Sequence, residues 1–531
     1  MHLRRKPVWP RSGRTPCSCR LKKRALNIPF PYPPQPLAFS MQREASTWAL
    51  AADGLQQKFK GLKQRTVWRY KTLKNNNTAI VFSDDKEEVF LKPRNRRQCD
   101  PLACHNVLAT ASAPILNGIL GATSPEESNQ FCRTMVGFML HSCSPSERAK
   151  VLNVITITRL EEITIANRAL IVRAIQQCIQ SPLIRDKAVM HSAAKNVICG
   201  TYGLQLSVLK ERIHAEENFL FEAADSPQLE VAEVPEKVFV GQNTCAPGEL
   251  LHAGDLVQLI FENKNVTEVV SMMQHIAVES LDVKAKQPNL IKVISDIDDT
   301  LFPGWVDARY PLHVPYPGVS NLFARLSRGL ARDANGDNLR PSITFLTARP
   351  RGWLSVGRYL TLQHLKSLGI PNVTVLNGSV KGLMSIEKIA NLKLDNFIRF
   401  AALFPEFKFI FFGDSGQGDA LLASRLLKSC SEQVLSTFIH DVNPNSARAG
   451  DGGLKLEYAS EGVNFFRTYA GAALAAYKSG LILADDVLAV AAASEKDLEE
   501  ILFLGPNAAA MKSWRRHELQ QDLNVIELCC K

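Results

Sequence analysis

From Pro288 onward the apolar and polar positions fall into alternating blocks. "LIKVIS", "ITFL", "VTVL", "FIFF" and "VLSTFI" are short apolar runs, and between them lie the amphipathic stretches "GVSNLFARLSRGLA", "WLSVGRYLTLQHLKSLG" and "NFIRFAALF". Short apolar runs bounded by polar segments predict buried strands, and apolar positions three and four apart predict helices. A strand–helix–strand rhythm pairs strands in parallel through right-handed crossovers. The expected fold class for residues 288–490 is therefore α/β, a doubly wound parallel sheet.

Upstream the period is helical. Residues 99–225 predict a helical bundle, with Ser124-Pro-Glu-Glu127 and Ser144-Pro-Ser-Glu147 each placing Ser at an N-cap, Pro in the first turn and Glu three positions on. Residues 226–287 form a mixed connection, with short strands expected at "KVFVG" and "DLVQLIF". Residues 491–531 predict a helical tail. The apolar stretch "AGAALAAYKSGLILADDVLAV" contains Lys478, Asp485 and Asp486, costly groups in hydrocarbon, and suits a packed amphipathic helix better than a membrane span.

Charge changes the picture at the amino-terminal end. The chain of 531 residues has a formal net charge of +11, yet residues 1–100 hold 22 Lys and Arg against 7 Asp and Glu. Residues 1–40 have no acid and include "NIPFPYPPQP", a disordered basic arm. Its prolines disfavour the amphipathic helix of a mitochondrial presequence, and the alternative is a working chain that begins at Met41. Residues 41–98 are basic with interleaved Trp and Tyr. A solvated helix face accounts for them, so no nucleic acid is expected, while the basic arm suits peripheral contact with an anionic membrane. The 12 cysteines follow no regular framework, which reads as reduced thiols in a cytoplasmic protein. Cys99, Cys104 and His105 lie close together without the second ligand pair of a zinc site.

Candidate chemistry sits where three apolar runs end: "VISDIDDT", "FLTAR" and "FIFFGDSGQGD". Open α/β sheets bind ligands at the carboxyl ends of their strands, so Asp296, Asp298, Thr347 and Asp414 are expected to converge, joined by Lys393 from the helix feeding the third of these strands. Carboxylates this crowded repel one another unless a divalent cation sits between them, and an all-oxygen set favours Mg2+. A carboxylate can then attack phosphorus, and the carboxyl two residues along can protonate the leaving alcohol and activate water. Thr347 and Lys393 would bind the phosphoryl oxygens. Thr300, which closes the motif, and Arg349, just beyond Thr347, are taken as substrate contacts. Asp299 is read as a turn-facing carboxylate without chemistry.

The DxDxT at 296–300, Thr347, Lys393 and the Gly-Asp at 413–414 resemble the four motifs of haloacid dehalogenase-like phosphohydrolases. More narrowly, "DIDDT", the spacing of Lys393 ahead of "LFPEFKFIFFGDSGQGD", and "FIHDV" resemble the catalytic domain of the actin-patch-associated phosphatidate phosphatases, over roughly residues 288–485. The resemblance implies a haloacid dehalogenase-like Rossmannoid domain with Asp296 as nucleophile and Asp298 as general acid/base. It implies Mg2+ held by the Asp296 carboxylate, the Asp298 backbone carbonyl and Asp414. Asp419 is either a ligand, directly or at one remove, or a helix-start cap. Hydrolysis of phosphatidate to diacylglycerol is the implied activity. Where relatives carry a Ser-Pro-Trp-type segment this chain has "ARPRGW", so a soluble phosphomonoester is the alternative substrate. A helical interaction protein with an inactive phosphatase fold is the alternative class, and the intact set of five residues weighs against it.

Overall fold

A computed structural model describes residues 100–121, 125–214, 255–328 apart from 305 and 313, 343–350, 373–378, 385–442 apart from 417, and 451–530. The basic arm and the segment to residue 98, the "KVFVG" strand, the Ser124 cap and the "WLSVGRYLTLQHLKSLG" helix lie outside the described residues.

Among the described residues, seven α-helices lie between 101 and 214: α1 (Pro101–Thr110), α2 (Ala113–Leu120), α3 (Pro125–His141), α4 (Pro145–Asn153), α5 (Ile165–Gln180), α6 (Lys187–Cys199) and α7 (Gly203–His214). The Ser144 capping box forms as expected, its hydroxyl accepting from the Glu147 amide while Glu147 accepts from the Ser144 amide. The next segment departs from expectation. "DLVQLIF" is helical, α8 (Leu256–Phe261), because the Asp255 side chain accepts the Gln258 amide and so caps a turn that apolar content alone could not distinguish from a strand. The long α9 (Val266–Lys286) follows, capped by Asn265.

Among the described residues six parallel strands come next: β1 (Ile291–Ser295), β2 (Ile343–Pro350), β3 (Val373–Gly378), β4 (Lys408–Asp414), β5 (Val434–His440) and β6 (Val463–Phe466), in spatial order β3-β2-β1-β4-β5-β6. The order reverses between β1 and β4, which opens a crevice at their carboxyl ends. The intervening helices are α10 (Val319–Leu326), α11 (Ile386–Leu403), α12 (Asp419–Ser429) and α13 (Asp451–Ser460), and α14 (Tyr469–Lys478), α15 (Ala484–Glu500) and α16 (Ala508–Cys530) end the chain. The stretch expected as one packed helix is two, α14 and α15, because Gly480 takes a left-handed φ of 70° between them. Among the described residues, no helix is long and apolar enough to cross a membrane.

Alternation along the strands divides the core in two. Ile294, Leu346, Phe409, Phe411 and Ile439 face one side, with α11, α12 and the helices of residues 104–283. Val293, Phe345, Ile410, Phe412 and Phe438 face the other, with α10, α14, α15 and α16. The helical region is therefore part of the same core as the sheet. Lys292 shows the join. It is fully buried in β1, ion-paired with Glu211 of α7, and its ammonium lies 4.8 Å and 4.7 Å from the Phe404 and Phe407 ring centres. Beside it Lys210 of α7 pairs with buried Glu406 at 2.8 Å, and Glu406 also accepts from Ser207 at 2.6 Å and Ser280 at 3.1 Å.

Candidate active site

β1 delivers Asp296 one residue past its last ladder position, where its amide still donates to the Phe412 carbonyl at 2.9 Å. β4 delivers Asp414 as its final residue, in register with His440 of β5. Asp419 opens α12, whose cap is Gly418, so the Asp419 side chain is not a helix cap. α11 brings in Lys393. Its ammonium donates to Asp296 Oδ1 at 2.9 Å and to Asp419 Oδ1 at 2.6 Å, all three residues being buried. Asp414 Oδ1 accepts the Gly416 amide at 2.6 Å. Asp414 Oδ2 and Asp419 Oδ2 are buried with no hydrogen-bond partner.

Electrostatics follow from this crowding. Burial, with Asp419 and Asp298 adding repulsion against the pull of Lys393, raises the Asp296 carboxyl to about 7. Burial and the Asp419 and Asp296 charges raise Asp414 well above the carboxylate range. Burial opposes the Lys393 charge, but Asp296 and Asp419 outweigh it and hold the ammonium above its ordinary value. Asp296, Asp414 and Asp419 each offer a carboxylate oxygen, and these atoms lie within 4.8 Å of one another. An all-oxygen donor set with two buried, unpartnered oxygens fits a hard divalent cation such as Mg2+.

Glycines keep the cluster tight. A Cβ on Gly413 would sit 2.5 Å from Asp419 Cβ, and one on Gly304 would sit 2.8 Å from Asp298 Cβ. Asp298 is buried under this glycine. The Thr300 hydroxyl is buried without a hydrogen-bond partner, while its carbonyl accepts from the Tyr469 hydroxyl. Thr347 and Arg349 lie on β2, and their side chains fall outside the described residues. The structure thus brings together Asp296, Lys393, Asp414 and Asp419, with Asp298 and Thr300 on the adjoining loop.

Asp299 faces the turn that follows it, as its sequence reading has it, with the carboxylate aimed at backbone amides. It is fully buried, has a φ of 60°, and its carboxylate accepts the amides of Gly304, Val306 and Asp307 at 2.9, 2.8 and 3.0 Å. A polar group beneath it, Asp307, Arg309, Tyr316 and His440, went unread except for His440 in "FIHDV". Burial together with the Arg309 charge lowers His440 to about 4, so the ring is neutral.

The fold and site define an α/β domain with a buried lysine–carboxylate centre at the point where its parallel sheet reverses order. Over residues 291–441, from the first residue of β1 to the residue after β5, the chain matches the family model described as the phosphatidate phosphatase APP1 catalytic domain. That match supports the resemblance to actin-patch phosphatidate phosphatases and, with it, a phosphatidate phosphatase-like domain here. No curated protein and no solved structure matches the chain.

Proposed function

We propose that the protein is a Mg2+-dependent phosphatase of the haloacid dehalogenase-like type that hydrolyses phosphatidate through an aspartyl-phosphate. The observation that carries the reading is the Lys393 bridge between Asp296 and Asp419, with Asp414 beside it: a buried anionic pocket, at a sheet switch point, in which the Lys393 ammonium is fixed. An Asp296 oxygen attacks phosphorus, and the bond to the alcohol oxygen breaks as the Asp298 carboxyl gives that oxygen its proton. Asp298, now a carboxylate, takes a proton from the water that next attacks phosphorus, and departure of the Asp296 oxygen restores the enzyme. Lys393 orients Asp296 and balances charge on the phosphoryl oxygens. Thr300, Thr347 and Arg349 are assigned to phosphoryl and substrate contact. Asp296, Asp414, Asp419 and the Asp298 carbonyl would hold Mg2+, which supplies charge neutralisation for phosphate when bound. Phosphatidate as substrate comes from the family match and implies work at a lipid surface.

The test is phosphate release by the full chain with Mg2+, comparing phosphatidate in mixed micelles with small soluble phosphate esters. Preference for phosphatidate supports the reading, preference for a small ester corrects the substrate, and release from neither contradicts the reaction.

A further inference from the structure

Asp299 belongs to a closed hydrogen-bonded ring that the mechanism above does not use. Its Oδ1 accepts the Asp307 amide at 3.0 Å. The Asp307 carboxylate accepts a two-pronged bond from Arg309, Nε to Oδ1 at 2.9 Å and Nη2 to Oδ2 at 3.0 Å. Arg309 Nη2 lies 3.0 Å from His440 Nε2, and His440 Nδ1 lies 2.9 Å from the Asp299 carbonyl oxygen. A guanidinium only donates and a carbonyl only accepts, so His440 carries its proton on Nδ1 and accepts at Nε2. The 3.3 Å approach of the Arg467 carbonyl to Nε2 is then a contact without a hydrogen bond. Tyr316 braces the ring, its hydroxyl donating to Asp307 Oδ2 at 2.7 Å.

The ring bears on Asp298 from two directions. Asp299 is its chain neighbour and stands in the left-handed region, so the turn that aims Asp298 is set there. The Asp299 carboxylate also draws in the amides of Gly304, Val306 and Asp307, which brings Gly304 against the Asp298 side chain. A left-handed φ alone would be met more easily by glycine. A carboxylate at that position has a second use, the gathering of three amides.

We infer that Asp299, held by the Asp307–Arg309–His440 ring, is a positioning residue that fixes Asp298 for proton transfer. The inference deepens the phosphatase reading and rests on it. Misplacing a catalytic group by about 1 Å can cost on the order of 10²-fold. Asp299→Gly keeps the backbone conformation and loses the amide clamp. Its rate on phosphatidate with Mg2+ is expected to fall ~10–100-fold. Asp299→Asn keeps one acceptor oxygen but turns an NH2 toward the Val306 amide, and a loss of ~3–10-fold is expected.

The test is a double-mutant cycle with Asp298→Asn in the full chain, with the urea midpoint of each variant checked alongside. If Asp299 acts through Asp298, adding Asp299→Gly to Asp298→Asn lowers the rate by no more than about threefold. An undiminished rate for Asp299→Gly alone, or a loss that multiplies in full in the double variant, would overturn the inference. Should Asp299→Gly not fold, the same cycle with Asp299→Asn decides by the same criterion. A wild-type chain inert toward phosphatidate and soluble esters alike would overturn the phosphatase reading and the positioning role with it. An active wild type with an indifferent Asp299→Gly overturns the positioning role alone.

Discussion

Lys393 has no ordinary surface role open to it: a fully buried ammonium needs anions, and it has two. Lys393→Met would remove the ammonium that joins Asp296 to Asp419 and balances charge on the phosphoryl oxygens, so on the proposed mechanism turnover falls by ~10²-fold or more. Steady-state rates on phosphatidate check this, and a rate within threefold of wild type would contradict it. Asp414→Ala removes one of the two unpartnered carboxylate oxygens. Its expected signature is a Mg2+ requirement raised at least ~10-fold, read from activity against free Mg2+. An unchanged requirement would place the cation elsewhere. Asp414 was legible because it ends an apolar run; Lys393, expected to open the helix before that run, is instead the eighth residue of α11, whose start is set by the Ser385 cap. The proposed role of Asp299 was not legible, because Gly304, Val306, Asp307 and His440 meet it only after the loop folds and β5 is laid beside β4.

At the scale of elements, the ends of β4 and β5 carry the site and its support together, since Asp414 and His440 are register partners. His440 supplies a pH dependence. Its folded value, about 4, lies below the ordinary 6.5, so the folded state resists a proton that the unfolded chain accepts. Its stabilising contribution is fully present above pH 6.5 and is lost as pH falls through about 4, about 3 kcal/mol in all. Urea unfolding of wild type and His440→Gln tests this: their stability gap at pH 7 should narrow by roughly 2 kcal/mol at pH 4.5, and a pH-independent gap would refute it. Five of the six strands were readable as apolar runs. β6 was not, because Asn464 interrupts its four residues, "VNFF", and leaves no apolar run. Helix α8 was misread for a related reason: six apolar-rich residues fit either state until Asp255 caps them.

On the whole-molecule scale, the helices of residues 104–283 and one face of the sheet share a single core, a union no local pattern reveals. The buried Lys210–Glu406 pair sits at that seam, tying α7 to the turn that follows the Lys393 helix. Lys210→Met would leave Glu406 charged and buried, costing about 3–5 kcal/mol, whereas Lys210→Met with Glu406→Leu should recover most of that loss. Urea midpoints of the full chain check both, and an unmoved midpoint for the single variant would mean the helical region unfolds independently of the sheet.

Attack by Asp296 on phosphorus is tested by the rate of phosphate release from phosphatidate, with Mg2+, by the folded Asp296→Asn full chain beside wild type. The substitution keeps volume and removes the attacking oxygen, so a loss of ~10³-fold or more is expected, with the urea midpoint showing a folded protein. A folded Asp296→Asn chain that releases phosphate at the wild-type rate would contradict it.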